Sequence, residues 1–132
     1  MMSSDLDTAV TIARAVGHPA RLRTVAMLRS GELCVCQITE VLGLAPSTVS
    51  AHLKELRRSG LTVERKDGKW VWVGLSEDPV ARSWVETSLA AVAGDPQLAA
   101  DARLVAELRA LSVEDLCRFG LDVARSRAAA NR

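Results

Sequence analysis

Cys34 and Cys36, one residue apart, and the distant Cys117 carry the most distinctive chemistry in this sequence. Thiolates are soft ligands, so they suit trivalent arsenic or antimony, cadmium, lead or cuprous copper, and are a poor match for magnesium or calcium. Side chains at i and i+2 of a regular helix point about 200° apart. Cys34 and Cys36 can therefore share one ion only if a helix begins after Cys34 or its first turn is distorted. Two sulfurs fall one short of a trigonal site. Cys117 could complete it, from its own chain or from a partner; otherwise the pair could take a methylated arsenical, which offers fewer exchangeable positions. The competing reading is packing, since free cysteine is among the most buried residue types, and Cys117 beside Leu116 and near Phe119 suits that reading as well. An odd number of cysteines, with no export signal at the N-terminus, argues against a disulfide framework.

A second constellation suits nucleic acid. Ser47, Thr48 and Ser50 are short donors and acceptors that let a helix N-terminus approach base edges and phosphates. His52 and Lys54 would extend that reach, and Arg57 and Arg58 would neutralise phosphate at the flank. Arg65, Lys66 and Lys69 follow close behind. Residues 43–73 hold six Lys/Arg against three Asp/Glu, whereas residues 74–132 hold seven against nine. The net charge of +1 thus conceals a basic middle segment. The plain alternative is a solvated face on a protein-interaction module.

These groups need short helices and one hairpin to position them. Apolar spacing and Gly/Pro punctuation predict helices over residues 6–16, from the His18-Pro19 start to Gly31, from residue 34 or 35 to 42, and over 46–59. Only Gly43, Leu44 and Ala45 separate the last two, the signature of a helix-turn-helix. Residues 61–66 and 69–75 are β-rich, and Asp67-Gly68 between them is a tight hairpin turn, giving a basic wing. Trp70 and Trp72 alternate along the second strand and are expected to fasten the sheet to the core. Asp78-Pro79 and Asp95-Pro96 each open a further helix. Ser112 and Asp115 resemble a capping box before a single last helix bearing Leu116, Phe119 and Val123. Residues 126–132 are small and polar and are expected to fray.

Four motifs, in order, resemble the ArsR/SmtB family of bacterial metal-responsive repressors. They are His18-Pro19-Ala20-Arg21-Leu22, Glu32-Leu33-Cys34-Val35-Cys36, the stretch from Ser47 through His52 and Lys54 to Leu61, and Arg65-Lys66-Asp67-Gly68-Lys69-Trp70-Val71. The resemblance covers residues 17–92. It implies a homodimeric winged-helix repressor whose first helix and the helix over 80–92 form the dimer interface, where Trp84 and Leu89 would be covered by the partner. In arsenic-responsive members similar to this chain a third cysteine follows the second by three residues. Here that position is Thr39, which shifts attention to Cys117. Members that sense zinc or nickel use His and carboxylate ligands on the dimerisation helix; the two histidines here, His18 and His52, both lie in the DNA-binding half.

At 132 residues, with 48% apolar and 25% charged, the chain has the balance of one globular domain. The expectation is a mainly α fold with a small β-hairpin, a winged helix-turn-helix over residues 6–94 with its DNA-binding segment at 34–75, and a C-terminal helical extension over 95–132. No apolar run approaches a membrane span, so a cytoplasmic location is expected, with no membrane partner. Its expected role is a repressor that leaves double-stranded operator DNA when As(III) or Sb(III) binds Cys34 and Cys36 with help from Cys117. The alternatives are cadmium, lead or oxidants acting at Cys34 and Cys36. A thiol oxidoreductase would need a strand leading into the cysteine pair and an αβ scaffold, whereas helices are expected to flank it. No nucleophile motif or phosphate loop points to another enzyme.

Overall fold

The computed structural model describes residues 5–131. Helix α1 (Leu6–Val16) starts at Asp5, whose carboxylate accepts the Thr8 N–H at 2.8 Å. Helix α2 (Pro19–Leu28) begins with proline, and His18 caps it through Nδ1, which accepts the Ala20 N–H at 3.1 Å. Strand β1 (Leu33–Cys34) runs directly into α3 (Val35–Leu42). Gly43, in the left-handed region at φ 67°, stops α3 and turns the chain toward α4 (Pro46–Arg58). Strands β2 (Thr62–Asp67) and β3 (Trp70–Leu75) form the wing around Gly68. Four helices follow: α5 (Pro79–Ala90), α6 (Pro96–Arg109), α7 (Val113–Phe119) and α8 (Leu121–Ala130).

The architecture is a winged helix-turn-helix, mostly helical with one small antiparallel sheet of order β1-β3-β2. Its core joins Ile12, Val25, Leu33, Ile38, Val49, Leu56 and Val73, all buried, and extends without a break to Val105 and Leu108 of α6, Leu116 of α7 and Ala124 of α8. Each buried Val, Leu or Ile side chain among them contributes roughly 1.5–3 kcal/mol by leaving water. A buried ion pair adds a polar fastening between α6 and α2: Arg23 holds Asp101 through two hydrogen bonds of 2.8 and 2.9 Å. The same guanidinium donates to the Val41 carbonyl of α3.

Several expectations are corrected. The hairpin is part of a three-stranded sheet, because Leu33 and Cys34 pair with Val73 and Trp72 of β3. A strand therefore leads into the cysteine pair, although the sheet is antiparallel throughout and forms no αβ scaffold. The last helix is broken at Gly120, whose φ of 90° and ψ of 177° suit glycine alone. Residues 126–130 continue α8 rather than fraying, and Arg132 lies outside the described residues. Leu89 is 5% exposed in the single chain, so its own core covers it, while Trp84 is half-buried.

Candidate metal centre and nucleic-acid interface

The geometric condition on Cys34 and Cys36 is met by the end of β1. Cys34 is extended, at φ −72° and ψ 149°, and stands as the N-cap of α3, so only Cys36 belongs to the helix. Gln37 fixes that junction, its Oε1 accepting the Cys34 N–H at 2.8 Å. From the other side α7, packed on α3, brings in Cys117 of the same chain. The three sulfurs lie within 4.8 Å of one another, with Cys34 buried and the other two half-buried. Thr39 supplies no substitute ligand, because its hydroxyl donates to the Val35 carbonyl at 2.8 Å within α3.

Cys36 and Cys117 are joined by a disulfide, with Cα atoms 5.5 Å apart, and Cys34 is the free thiol. This corrects the expectation that the cysteines form no disulfide. Parity and compartment carry no information about which thiols a fold brings together, and here the docking of α7 on α3 decides it. Reduced, the three thiols form a compact soft donor set that fits a thiophilic ion. A cleft of about 550 Å³ opens beside Cys34 and Cys36, between Leu53 and Lys54 of α4 and Trp70 and Val71 of β3. The thiols thus lie between the elements that would face nucleic acid.

On α4, Val49, Leu53 and Leu56 are buried, leaving Ser47, Thr48, Ser50, Lys54, Arg57 and Arg58 exposed. His52 is placed otherwise than expected. It is half-buried against α2, with Nδ1 3.2 Å from Arg21 Nη1 and its ring centroid 4.4 Å from that of His18. Burial, then the neighbouring His18 and Arg21, push its pKa down. These contacts fasten α4 to α2 at this position.

Most of the cations have acidic partners. Arg57 pairs with Glu64 at 2.9 Å, Arg58 lies 3.9 Å from Glu55, and Lys69 lies 3.7 Å from Glu114. Arg65 reaches Glu32 and Asp67, and its hydrogen bond holds the Glu32 carboxyl below the usual range. Lys54 and Lys66 are exposed cations without an ion pair among the described residues. Trp72 lies opposite Cys34 in the sheet, with its indole N–H buried and unpaired among the described residues.

Three supporting groups were assigned no role from the sequence. Arg21 donates to the Ala15 and Arg14 carbonyls and so ties the α1–α2 junction to His52. Arg109 of α6 donates to the Glu32 and Gly31 carbonyls and to Ser30 Oγ, holding the approach to β1. Glu114 links α7 to the wing. Only Arg21 carried a signal, as part of the motif at residues 18–22.

Residues 18–62 match the profile described as "Bacterial regulatory protein, arsR family". The arsenic resistance transcriptional regulator ArsR1 of Pseudomonas putida is 38% identical over 87 residues, spanning 64% of this chain and 66% of that protein. The chain thus spans just under two thirds of that relative's length. Among solved structures, HlyU from Vibrio cholerae superposes with a TM-score of 0.58 at 31% identity, covering 67% of this chain and 97% of that one. The homodimeric winged helix-turn-helix DNA-binding domain Mb0332 from Mycobacterium bovis superposes with a TM-score of 0.59 at 26% identity, covering 68% and 90%.

Proposed function

The chain belongs to the arsR family of bacterial regulatory proteins, and on that premise we propose that it is a cytoplasmic, homodimeric repressor that leaves its operator when trivalent arsenic or antimony binds Cys34, Cys36 and Cys117 of one chain. The observation that carries this reading is the convergence of three sulfurs at the N-terminus of α3, the helix joined to α4 by a three-residue turn.

In the DNA-bound state α4 lies in the major groove. Ser47, Thr48 and Ser50 face base edges and phosphates, and Lys54, Arg57 and Arg58 flank them. The wing cations Arg65, Lys66 and Lys69 follow the backbone and set register, so affinity falls steeply with salt. Two copies meet through α1 and α5, each presenting one α4 to successive turns of the duplex. Leu6 and Val10, 78% and 40% exposed, support that use of α1.

Ion binding requires the disulfide to be reduced and draws β1, α3 and α7 onto one centre. Because α3 packs on α4, the ion-bound and DNA-bound arrangements differ, and each ligand weakens the other by about 1–3 kcal/mol. The soft donor set also supports a second reading, with cadmium or lead as inducer. The oxidant alternative at Cys34 and Cys36 shifts to Cys36 and Cys117, the pair that is bonded.

The test is fluorescence anisotropy of duplex DNA from upstream of the gene, bound by reduced protein and challenged with arsenite, antimonite, cadmium, lead and zinc. Release by arsenite or antimonite, lost in Cys34→Ser and Cys117→Ser, is expected. Release by cadmium or lead alone would replace the inducer, and failure to bind the duplex would end the reading.

A further inference from the structure

The thiol cluster and the reading surface proposed for α4 and the wing share one opening. Cys34 and Cys36 line the cleft of about 550 Å³, and so do Ser50, Lys54 and Arg57 of α4 and Lys69 of the wing. Cys117 does not line it. Cys34 is 1% exposed, so a reagent reaches its sulfur through this cleft rather than from open surface. Three cations, Lys54, Arg57 and Lys69, stand around the cleft against one carboxylate, Glu64, which is itself paired with Arg57 at 2.9 Å. Such a rim suits phosphate. A helix seated in the major groove and a wing on the backbone beside it have between them the phosphate strand that borders that groove. In this fold that strand falls across the gap between α4 and β3, which is the mouth of the cleft.

We infer that operator DNA closes the entrance to the thiols, so that the inducer enters only after the protein has left the duplex. The inference rests on the proposed DNA-binding role of α4 and the wing, and it holds for whichever thiophilic ion is the inducer. It adds an order of events to the proposed antagonism. Coupling between two ligands is an equilibrium quantity and is the same for every path between the states. A covered cleft selects one path. The ion captures protein that has dissociated on its own and keeps it from rebinding, rather than prising it from the operator. The lifetime of the complex is then a property of the protein and the duplex alone, and raising the ion concentration does not shorten it.

Access is tested first without any ion. Full-length protein is reduced with a phosphine, and its initial rates of alkylation by iodoacetamide are followed cysteine by cysteine by tandem mass spectrometry, with and without the upstream duplex. With duplex at ten times its dissociation constant about one molecule in eleven stays free, so labelling of Cys34 is expected to slow roughly tenfold. Cys117, outside the cleft, is the internal reference and should slow much less. Salt raised until anisotropy reports release should restore the Cys34 rate. An unchanged Cys34 rate in the complex would overturn the inference, and equal slowing of Cys117 would overturn the cleft as the route by assigning the effect to a general tightening. In a second arm, stopped-flow anisotropy follows release from labelled duplex after mixing with rising arsenite. The rate should level off at that obtained by mixing with excess unlabelled duplex; a rate that climbs past this ceiling would overturn the order of events. Protection of Cys34 with no release by arsenite supports the closed cleft and refutes only the ion reading. Failure of the reduced protein to bind the duplex removes both.

Discussion

Asp101 accepts hydrogen bonds from Arg23 Nε and Nη2 and from Gln97 Nε2, and its side chain is 6% exposed against 23% for that of Arg23. The asymmetry decides which substitution costs more. Arg23→Ala strands a buried carboxylate with one amide partner and should destabilise the fold by about 3–5 kcal/mol. Asp101→Ala leaves a guanidinium that can turn toward water and should cost less; urea unfolding of both variants measures the order. Neither residue announced itself in the sequence, because the partners are 78 positions apart and each reads locally as an ordinary charged residue on a helix. His52 carries a pH dependence. Burial first, then His18 and Arg21, lower its pKa from the ordinary 6.5, so the unfolded chain takes up a proton that the folded chain resists. Its contribution to stability is present above pH 6.5 and is lost as pH falls through the depressed folded value. His52→Gln should flatten that part of the stability curve, and an unchanged curve would place the titration elsewhere. The sequence shows a histidine on a basic helix and suggests an outward role. Its inward direction depends on α2, which only the tertiary structure supplies.

Helix boundaries were legible because their causes are local. Asp5, Asp78, Asp95 and Ser112 accept backbone N–H groups at four N-termini, and prolines occupy the first turns of α2, α4, α5 and α6. Strand β1 was not legible, since two residues have no period and their extended state depends on pairing with β3. That omission also hid how the thiols converge, because Cys34 escapes the helical geometry only by ending a strand. The break at Gly120 was missed for the opposite reason: Leu116, Phe119 and Val123 keep helical spacing straight across it. A Cβ at Gly120 would meet no atom within 4 Å, so the penalty of Gly120→Ala is backbone strain alone, about 1–3 kcal/mol. A lowered urea midpoint is the expected result. Full stability would mean that α7 and α8 can join into one helix without loss.

For the molecule as a whole, the winged-helix elements and α6–α8 share one hydrophobic cluster, so the proposed sensor and reader deform together rather than as hinged parts. On the far side, Leu6 and Val10 leave α1 with an apolar face open to solvent. Val10→Glu should shift the proposed dimer toward monomers in sedimentation equilibrium and weaken operator binding with it; an intact dimer would move the interface off α1. The pairing of Cys34 with Trp72 has a further, optical consequence. Directly opposed residues on adjacent strands hold their Cβ atoms about 5 Å apart on one face, so the Trp72 side chain leaves β3 on the same face as that of Cys34. A heavy ion or a disulfide quenches a nearby indole, so loading or oxidising the sulfurs is expected to dim the chain's own emission, a change readable without label or DNA.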